Sequence, residues 1–159
     1  MSEPAPGRVV VIGIGNEFRR DDGIGPRVLD ALRPLIPAGV RLAVSDGEPV
    51  RLLEEWEGAE LAVVIDAVRR AGAGDPAPGR TYRLELDQAE AERAVGVSSH
   101  GLGLGDAISL ARTLDMLPSR LIVHAVEITD CGFGSGLSPA VAAAVPAVTA
   151  AVLGDLAPG

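Results

Sequence analysis

The sequence predicts an α/β fold in which helices cover both faces of a mainly parallel sheet of five strands. Short apolar, β-branched runs alternate with stretches whose apolar residues recur at helical spacing, which is typical of this fold class. The first run, Val9–Ile12, is apolar at every position, as expected for a strand buried on both faces. A chain of 159 residues has the size of one domain. We therefore expect a single domain over residues 1–159, with an ordered core from about residue 8 to residue 153.

Each further element follows from a local pattern. Residues 23–36 place apolar side chains at helical spacing, and Asp22 is a plausible N-cap for that helix. Near the end of the chain, Ser138 and Pro139 suit the N-cap and first position of an Ala/Val-rich helix. The elements predicted between them are a strand at Arg41–Val44, a short helix containing Leu52, Leu53 and Trp56, a strand at Leu61–Ile65, an extra strand at Tyr82–Leu86, a helix near 103–115 and a last strand at Leu121–Val126. The extra strand suits the sheet edge, where an antiparallel direction is open to it.

Composition excludes several classes of function. The net charge is −8 and all 14 basic residues are arginine, so we expect no nucleic-acid binding, no Walker-type phosphate loop and no lysine catalyst. The single Cys131 excludes an internal disulfide and any multi-cysteine metal site. The N-terminus shows no signal-peptide pattern, and no apolar run approaches the roughly 18 residues of a membrane helix. We therefore expect a cytoplasmic protein that is not bound to a membrane.

The sequence GIGNEFRRDDGIG, residues 13–25, raises the question of what this glycine-rich loop binds. Gly13 and Gly15 permit a sharp turn after the first strand. A dinucleotide fingerprint would need a third glycine at position 18, where this chain has Phe18. The loop also carries three carboxylates, which would repel a phosphate. The pattern therefore argues against a nucleotide and leaves a cation as the candidate ligand.

Nucleophilic catalysis by serine finds little support. The sequence GVSSH around Ser98 ends in histidine where a nucleophile elbow needs glycine, and GFGSG around Ser135 has phenylalanine in place of the first glycine. Both serines are interpreted as polar loop residues.

Three side chains form a candidate metal site. Asp22 follows the first strand, Asp66 ends the third, and His100 lies in a glycine-rich loop before a helix. Groups at the carboxyl ends of neighbouring parallel strands converge on one crevice, and two carboxylates with an imidazole suit a divalent transition metal that assists hydrolysis. A structural explanation is open for each: a helix cap for Asp22, a turn cap for Asp66 and a backbone hydrogen bond for His100. For His124, inside the apolar run LIVHAV, we favour a packed core histidine.

Taken together, these motifs resemble the hydrogenase maturation proteases, the peptidases that process the large subunit of nickel–iron hydrogenases. The resemblance runs from about Val9 to Leu153. It rests on GIGNEFRRDDGIG, on VVIDAV around Asp66, on SSHGLGL around His100 and on GLSPAV at residues 136–141. One departure is SDGEP at residues 45–49, where many relatives carry Asp-Gly-Gly-Thr.

The resemblance implies a three-layer fold around a twisted sheet, with metal-binding residues at Asp22, Asp66 and His100. It further implies an endopeptidase that removes a C-terminal extension from the nickel-loaded large-subunit precursor. The nickel would be supplied by that precursor, and other divalent metals could substitute for it. Asp46 is a candidate substrate-orienting acid. Two rival hypotheses stay open: a general metal-dependent peptidase, and a non-catalytic module that binds a nucleotide or a partner through the glycine loop.

Overall fold

The computed structural model describes residues 8–69, 77–86, 104–129 and 132–157, which contain a sheet of five strands. The strands are β1 (Val9–Ile14), β2 (Val40–Ser45), β3 (Leu61–Val68), β4 (Thr81–Leu86) and β5 (Arg120–Glu127). Their order across the sheet is β2-β1-β3-β5-β4. All neighbouring strands are parallel except β4, which pairs antiparallel with β5 at the sheet edge. The predicted sheet is confirmed, including its edge strand.

Helices cover both faces of this sheet. They are α1 (Ile24–Leu32), α2 (Pro49–Trp56), α3 (Leu104–Thr113) and α4 (Pro139–Leu156), and a 3-10 helix at Arg20–Gly23 precedes α1. The buried side chains of α1 and α4 pack on one face, and those of α2 and α3 pack on the other. The three-layer arrangement implied by the resemblance is therefore confirmed.

The central strands are buried on both faces because their successive side chains point to opposite layers. In β1, Val11 packs with the α1 and α4 layer, whereas Ile12 packs with the α2 and α3 layer. In β3 the same alternation separates Val63 from Val64. The core is almost entirely aliphatic, with Trp56 of α2 as its largest fully buried side chain.

Two details of the predicted first helix are wrong. The helix ends at Leu32, not near residue 36, because Pro34 has no N–H to donate to the carbonyl four residues earlier. Leu35, predicted on the apolar face, is consequently exposed. Asp22 does not cap α1: Gly23 occupies the N-cap position, and Asp22 lies inside the 3-10 helix.

The last helix has an unusual composition. Ser138 occupies its N-cap position and Pro139 its first position, as predicted. By length and composition, α4 is apolar enough to cross a membrane: it has 18 residues with a mean hydropathy of 1.6. The expectation that no apolar run approaches that length is therefore wrong. One side of α4 packs in the core through Val141, Val148 and Val152, and 28% of the helix is buried inside the domain.

Polar contacts join the end of α4 to the edge of the sheet. Asp155 accepts hydrogen bonds from Arg83 of β4, at 2.8 Å from Nη2, and lies 2.6 Å from Nε2 of His124 in β5. The hydrogen bond to Asp155 is the main reason that the pKa of Arg83 is raised. On the same strand as Arg83, Glu85 accepts a hydrogen bond from Arg120 of β5, and this bond lowers the pKa of the Glu85 carboxyl. The stabilisation from Glu85 is present above its ordinary pKa and is lost as the pH falls through the lowered value.

We predict that Asp155→Ala lowers the free energy of unfolding by about 3 kcal/mol, because it leaves the nearly buried His124 and the Arg83 guanidinium without their shared partner. Urea unfolding followed by circular dichroism measures the change. The control is Asp30→Ala, which removes only an exposed 3.8 Å contact with Arg33 and is expected to cost less than about 0.5 kcal/mol. Equal effects of the two substitutions would contradict the structural role of Asp155.

Candidate active site

The loop that follows β1 holds Asp22 through hydrogen bonds within the loop itself. The Gly15 N–H donates to the Ser45 carbonyl at 2.9 Å, which attaches the start of the loop to β2. The Asn16 N–H then donates to Oδ2 of Asp22 at 2.9 Å, and Oδ1 of Asn16 accepts from the Phe18 N–H at the same distance. Asn16 thus closes the loop from both sides and orients the Asp22 carboxylate.

The glycines of this loop allow close backbone packing. The sequence predicts a turn at Gly13, but this residue lies within β1. A Cβ built there would be 2.7 Å from the backbone of Gly25 in α1. A Cβ on Gly25 would be 2.5 Å from the Ile14 carbonyl oxygen. Gly15 does take a backbone conformation that favours glycine, with φ at +139°, and a Cβ there would overlap the Asp22 carbonyl. These glycines bring α1 and Asp22 against the end of β1.

Asp21 has a different environment from its neighbour. Its side chain is fully buried, and its two oxygens accept hydrogen bonds from the Ser138 N–H at 2.7 Å and the Ser138 hydroxyl at 2.9 Å. Because Ser138 is the N-cap of α4, the carboxylate also lies at the positive end of an 18-residue helix. Asp21 therefore attaches the loop to α4.

Asp66 lies on the strand next to the Asp22 loop. The strand β3 continues to Val68 and does not end at Ile65 as predicted, so Asp66 is inside it, in register with Ala125 of β5. Its exposed fraction is 3%. Residues of the 3-10 helix that carries Asp22 come within 8 Å of β3, Cα to Cα. The fold therefore brings two of the predicted ligands to the carboxyl ends of the adjacent strands β1 and β3.

Asp46 follows β2, at the same carboxyl end of the parallel strands, and contacts the start of α2. Its Oδ1 accepts from the Glu48 N–H at 2.9 Å, and its Oδ2 is 2.6 Å from the Arg51 guanidinium. Glu48 in turn caps α2 by accepting from the N–H groups of Val50 and Arg51, and Pro49 is the first helical residue. The residues SDGEP, which differ from the Asp-Gly-Gly-Thr of many relatives, thus form the N-terminal cap of α2. A cavity of about 470 Å³ lies beside it and includes Asp46 in its lining.

His100, the third predicted ligand, lies outside the described residues. Within the described part of the chain, no group of three His, Cys, Asp or Glu side chains is placed to hold a metal ion. The complete set of Asp22, Asp66 and His100 therefore stays a prediction.

Two buried polar residues have partners that the local sequence does not indicate. His124 is buried in β5, as predicted, but it is paired with Asp155. Glu127, at the end of β5, is buried and accepts from the Ala77 N–H at 2.5 Å and the Tyr82 hydroxyl at 3.1 Å. It attaches the turn before β4 to the sheet. Its partners are 45 and 50 residues away along the chain, so no local pattern could have identified this role.

Comparison with known proteins identifies the family. The family model HycI, described as hydrogenase maturation protease, matches residues 45–155, a span that includes Asp46, Asp66 and His100. The chain belongs to the hydrogenase maturation protease family. Its enzymatic class is therefore that of an endopeptidase, and the resemblance derived from the motifs is confirmed.

Individual relatives agree with this assignment. The chain is 32% identical to the hydrogenase expression/formation protein HupD of Rhodobacter capsulatus over 157 residues, covering 95% of this chain and 72% of the relative. It is 28% identical to the hydrogenase 2 maturation protease of Escherichia coli, with coverage of 94% and 90%. Among solved structures, the hydrogenase maturating endopeptidase HybD from E. coli superposes with a TM-score of 0.77 at 27% identity, covering 94% of this chain and 91% of that one.

We predict that Gly25→Ala lowers the free energy of unfolding by about 2–3 kcal/mol, because its Cβ would meet the backbone of β1. The matched control is Gly154→Ala in α4, where a Cβ meets nothing within 4 Å. Alanine favours a helix over glycine, so the control is expected to raise stability by up to about 1 kcal/mol. Thermal and urea unfolding of both variants measure the difference. An unchanged stability of Gly25→Ala would contradict the close approach of α1 and β1.

Proposed function

We propose that this maturation protease removes the C-terminal extension of a nickel-loaded hydrogenase large-subunit precursor, and that Asp22, Asp66 and His100 bind the nickel carried by that precursor. The observation that carries the proposal is the placement of Asp22 and Asp66 at the carboxyl ends of adjacent parallel strands, in a chain that belongs to this family. The proposed place of action is the cytoplasm.

The chemistry of the proposed ligands suits this role. Carboxylate and imidazole donors accept several divalent transition metals, so other divalent ions could substitute for nickel. The set contains three protein ligands and no thiolate, which suits a metal ion that is already partly coordinated by another protein. Nickel is in this account a part of the substrate. Its chemistry there would be to polarise the scissile carbonyl or to activate water.

The chain's own residues would position the substrate. The hydrogen bond from Asn16 orients one oxygen of Asp22, and the paired strands on both sides of β3 hold Asp66 in a rigid backbone. A rigid arrangement reduces the entropy lost when a flexible precursor tail is brought to the reaction geometry. Asp46, held by Arg51 beside the 470 Å³ cavity, is proposed to orient the substrate from the β2 side.

Substitution of the proposed ligands tests the site. We predict that Asp22→Ala and His100→Ala each lower the rate of precursor processing at least 100-fold, because each removes a ligand from the substrate's nickel. The control Asp30→Ala changes an exposed carboxylate on α1 and is expected to keep the wild-type rate. Mass spectrometry of the precursor follows the loss of the extension, and circular dichroism verifies that the variants are folded.

Processing by either ligand variant at the wild-type rate would contradict the proposed site. A general metal-dependent peptidase would instead cleave unrelated, nickel-free proteins, and a control incubation with such proteins separates that possibility. We expect no cleavage of them.

A further inference from the structure

The chain has only two phenylalanines, and both are exposed: one lies in the loop that carries Asp22, and the other lies on the segment bonded to that loop. Phe18 is 65% exposed and Phe133 is 92% exposed, although the core is built from smaller aliphatic residues. We call Phe18 and Phe133 the aromatic pair. Single exposed apolar residues are common on protein surfaces, so exposure alone carries little information. The arrangement of these two residues carries more.

Backbone hydrogen bonds hold the aromatic pair side by side. The Gly134 N–H donates to the Phe18 carbonyl at 2.9 Å, and the Arg20 N–H donates to the Gly134 carbonyl at 3.0 Å. These bonds form a parallel bridge between Arg19 and Gly134, which places Phe18 and Phe133 at neighbouring positions on the two segments. Two segments separated by more than a hundred residues in the chain thus present their phenylalanines together.

The backbone beneath the aromatic pair is constrained. Arg20 has a φ of 48°, a left-handed conformation that non-glycine residues seldom adopt. Its N–H is bonded to Gly134, and its Nε donates to the Phe133 carbonyl at 3.4 Å. The buried contact between Asp21 and Ser138 joins the same two segments again, at the residue after Arg20 on the first segment. Backbone strain of this kind persists only where the surroundings impose it, and it occurs preferentially at functional sites.

The aromatic pair is also continuous with the proposed site. Phe18 belongs to the loop that Asn16 and Asp22 close, so its position is set by the same hydrogen bonds that orient the Asp22 carboxylate. Phe18 and the proposed ligand Asp22 are therefore held in one loop, which a polypeptide bound at Asp22 would contact. Rigid aromatic side chains with arginine nearby are characteristic of the central contacts in protein interfaces.

We propose that the aromatic pair is a docking surface for an apolar segment of the large-subunit precursor next to its cleavage site. The proposal rests on the proposed function above. The apolar character of the segment follows from the exposed rings. The choice of the precursor follows from the position of Phe18 in the loop that carries the proposed ligand Asp22.

The test compares steady-state processing of nickel-loaded precursor by wild type and by the Phe18→Ala, Phe133→Ala double variant. We expect KM to rise at least tenfold with kcat within twofold of wild type, because the aromatic pair binds substrate without touching the reacting atoms. The matched control is Leu35→Ala, Leu114→Ala, which removes two exposed apolar side chains at the opposite end of the sheet. The control is expected to leave KM unchanged.

A KM of the double variant within twofold of wild type, or an equal rise in the control, would overturn the proposal. The single variant Phe133→Ala removes a side chain that is 92% exposed and provides the same comparison if the double variant folds poorly. Asp22→Ala, measured in parallel, separates the two claims: full activity of that variant overturns the proposed ligands, whereas the KM comparison continues to test the docking surface.

Discussion

The backbone contact between Gly13 of β1 and Gly25 of α1 is the constraint on which the site depends. At each position a Cβ would lie less than 3 Å from the other segment's backbone, so only glycine allows the helix to approach the strand this closely. The close approach leaves a short path between the two elements. Residues 15–23 fill that path as a tight loop, and the loop carries Asp22 to the end of the sheet. The glycines are therefore required by packing, and no bound phosphate is needed to explain them.

The two adjacent carboxylates of the loop, Asp21 and Asp22, have different roles. Asp21 is buried and bonded to Ser138, so it serves the structure by attaching the loop to α4. Asp22 is only partly buried and is oriented by Asn16, so it is the one placed for a substrate. The tight loop imposes this division, because consecutive residues of the 3-10 helix point in different directions. The same attachment brings residues 132–138 beside the loop and places Phe133 next to Phe18.

The sequence predicts those features that depend on local pattern. The buried strands β1, β3 and β5 are predictable because they are runs of apolar, largely β-branched residues, and the start of α4 at Ser138 and Pro139 follows directly from capping preferences. The family is likewise recognisable from its sequence motifs alone. The convergence of Asp22 and Asp66 is predicted from their positions at the carboxyl ends of parallel strands, and the topology places β1 and β3 side by side.

Features that depend on distant residues could not be predicted. The partner of Asp21 is 117 residues away, and the partner of His124 is 31 residues away. No local pattern records such pairs. The early end of α1 has another cause, since the apolar spacing continues to Leu35 although Pro34 prevents the helix from following it. The sequence predicts a turn at Gly13. It does not reveal that α1 approaches this position, which is the reason that glycine is required there.

The central claim is that the site recognises nickel in the precursor. The most direct test is to incubate the purified protein with matched nickel-loaded and nickel-free large-subunit precursor and to measure the mass of each product. We predict that only the nickel-loaded precursor loses mass, by the amount of its C-terminal extension. Equal processing of the nickel-free precursor, or no shortening of the nickel-loaded one, would contradict that claim.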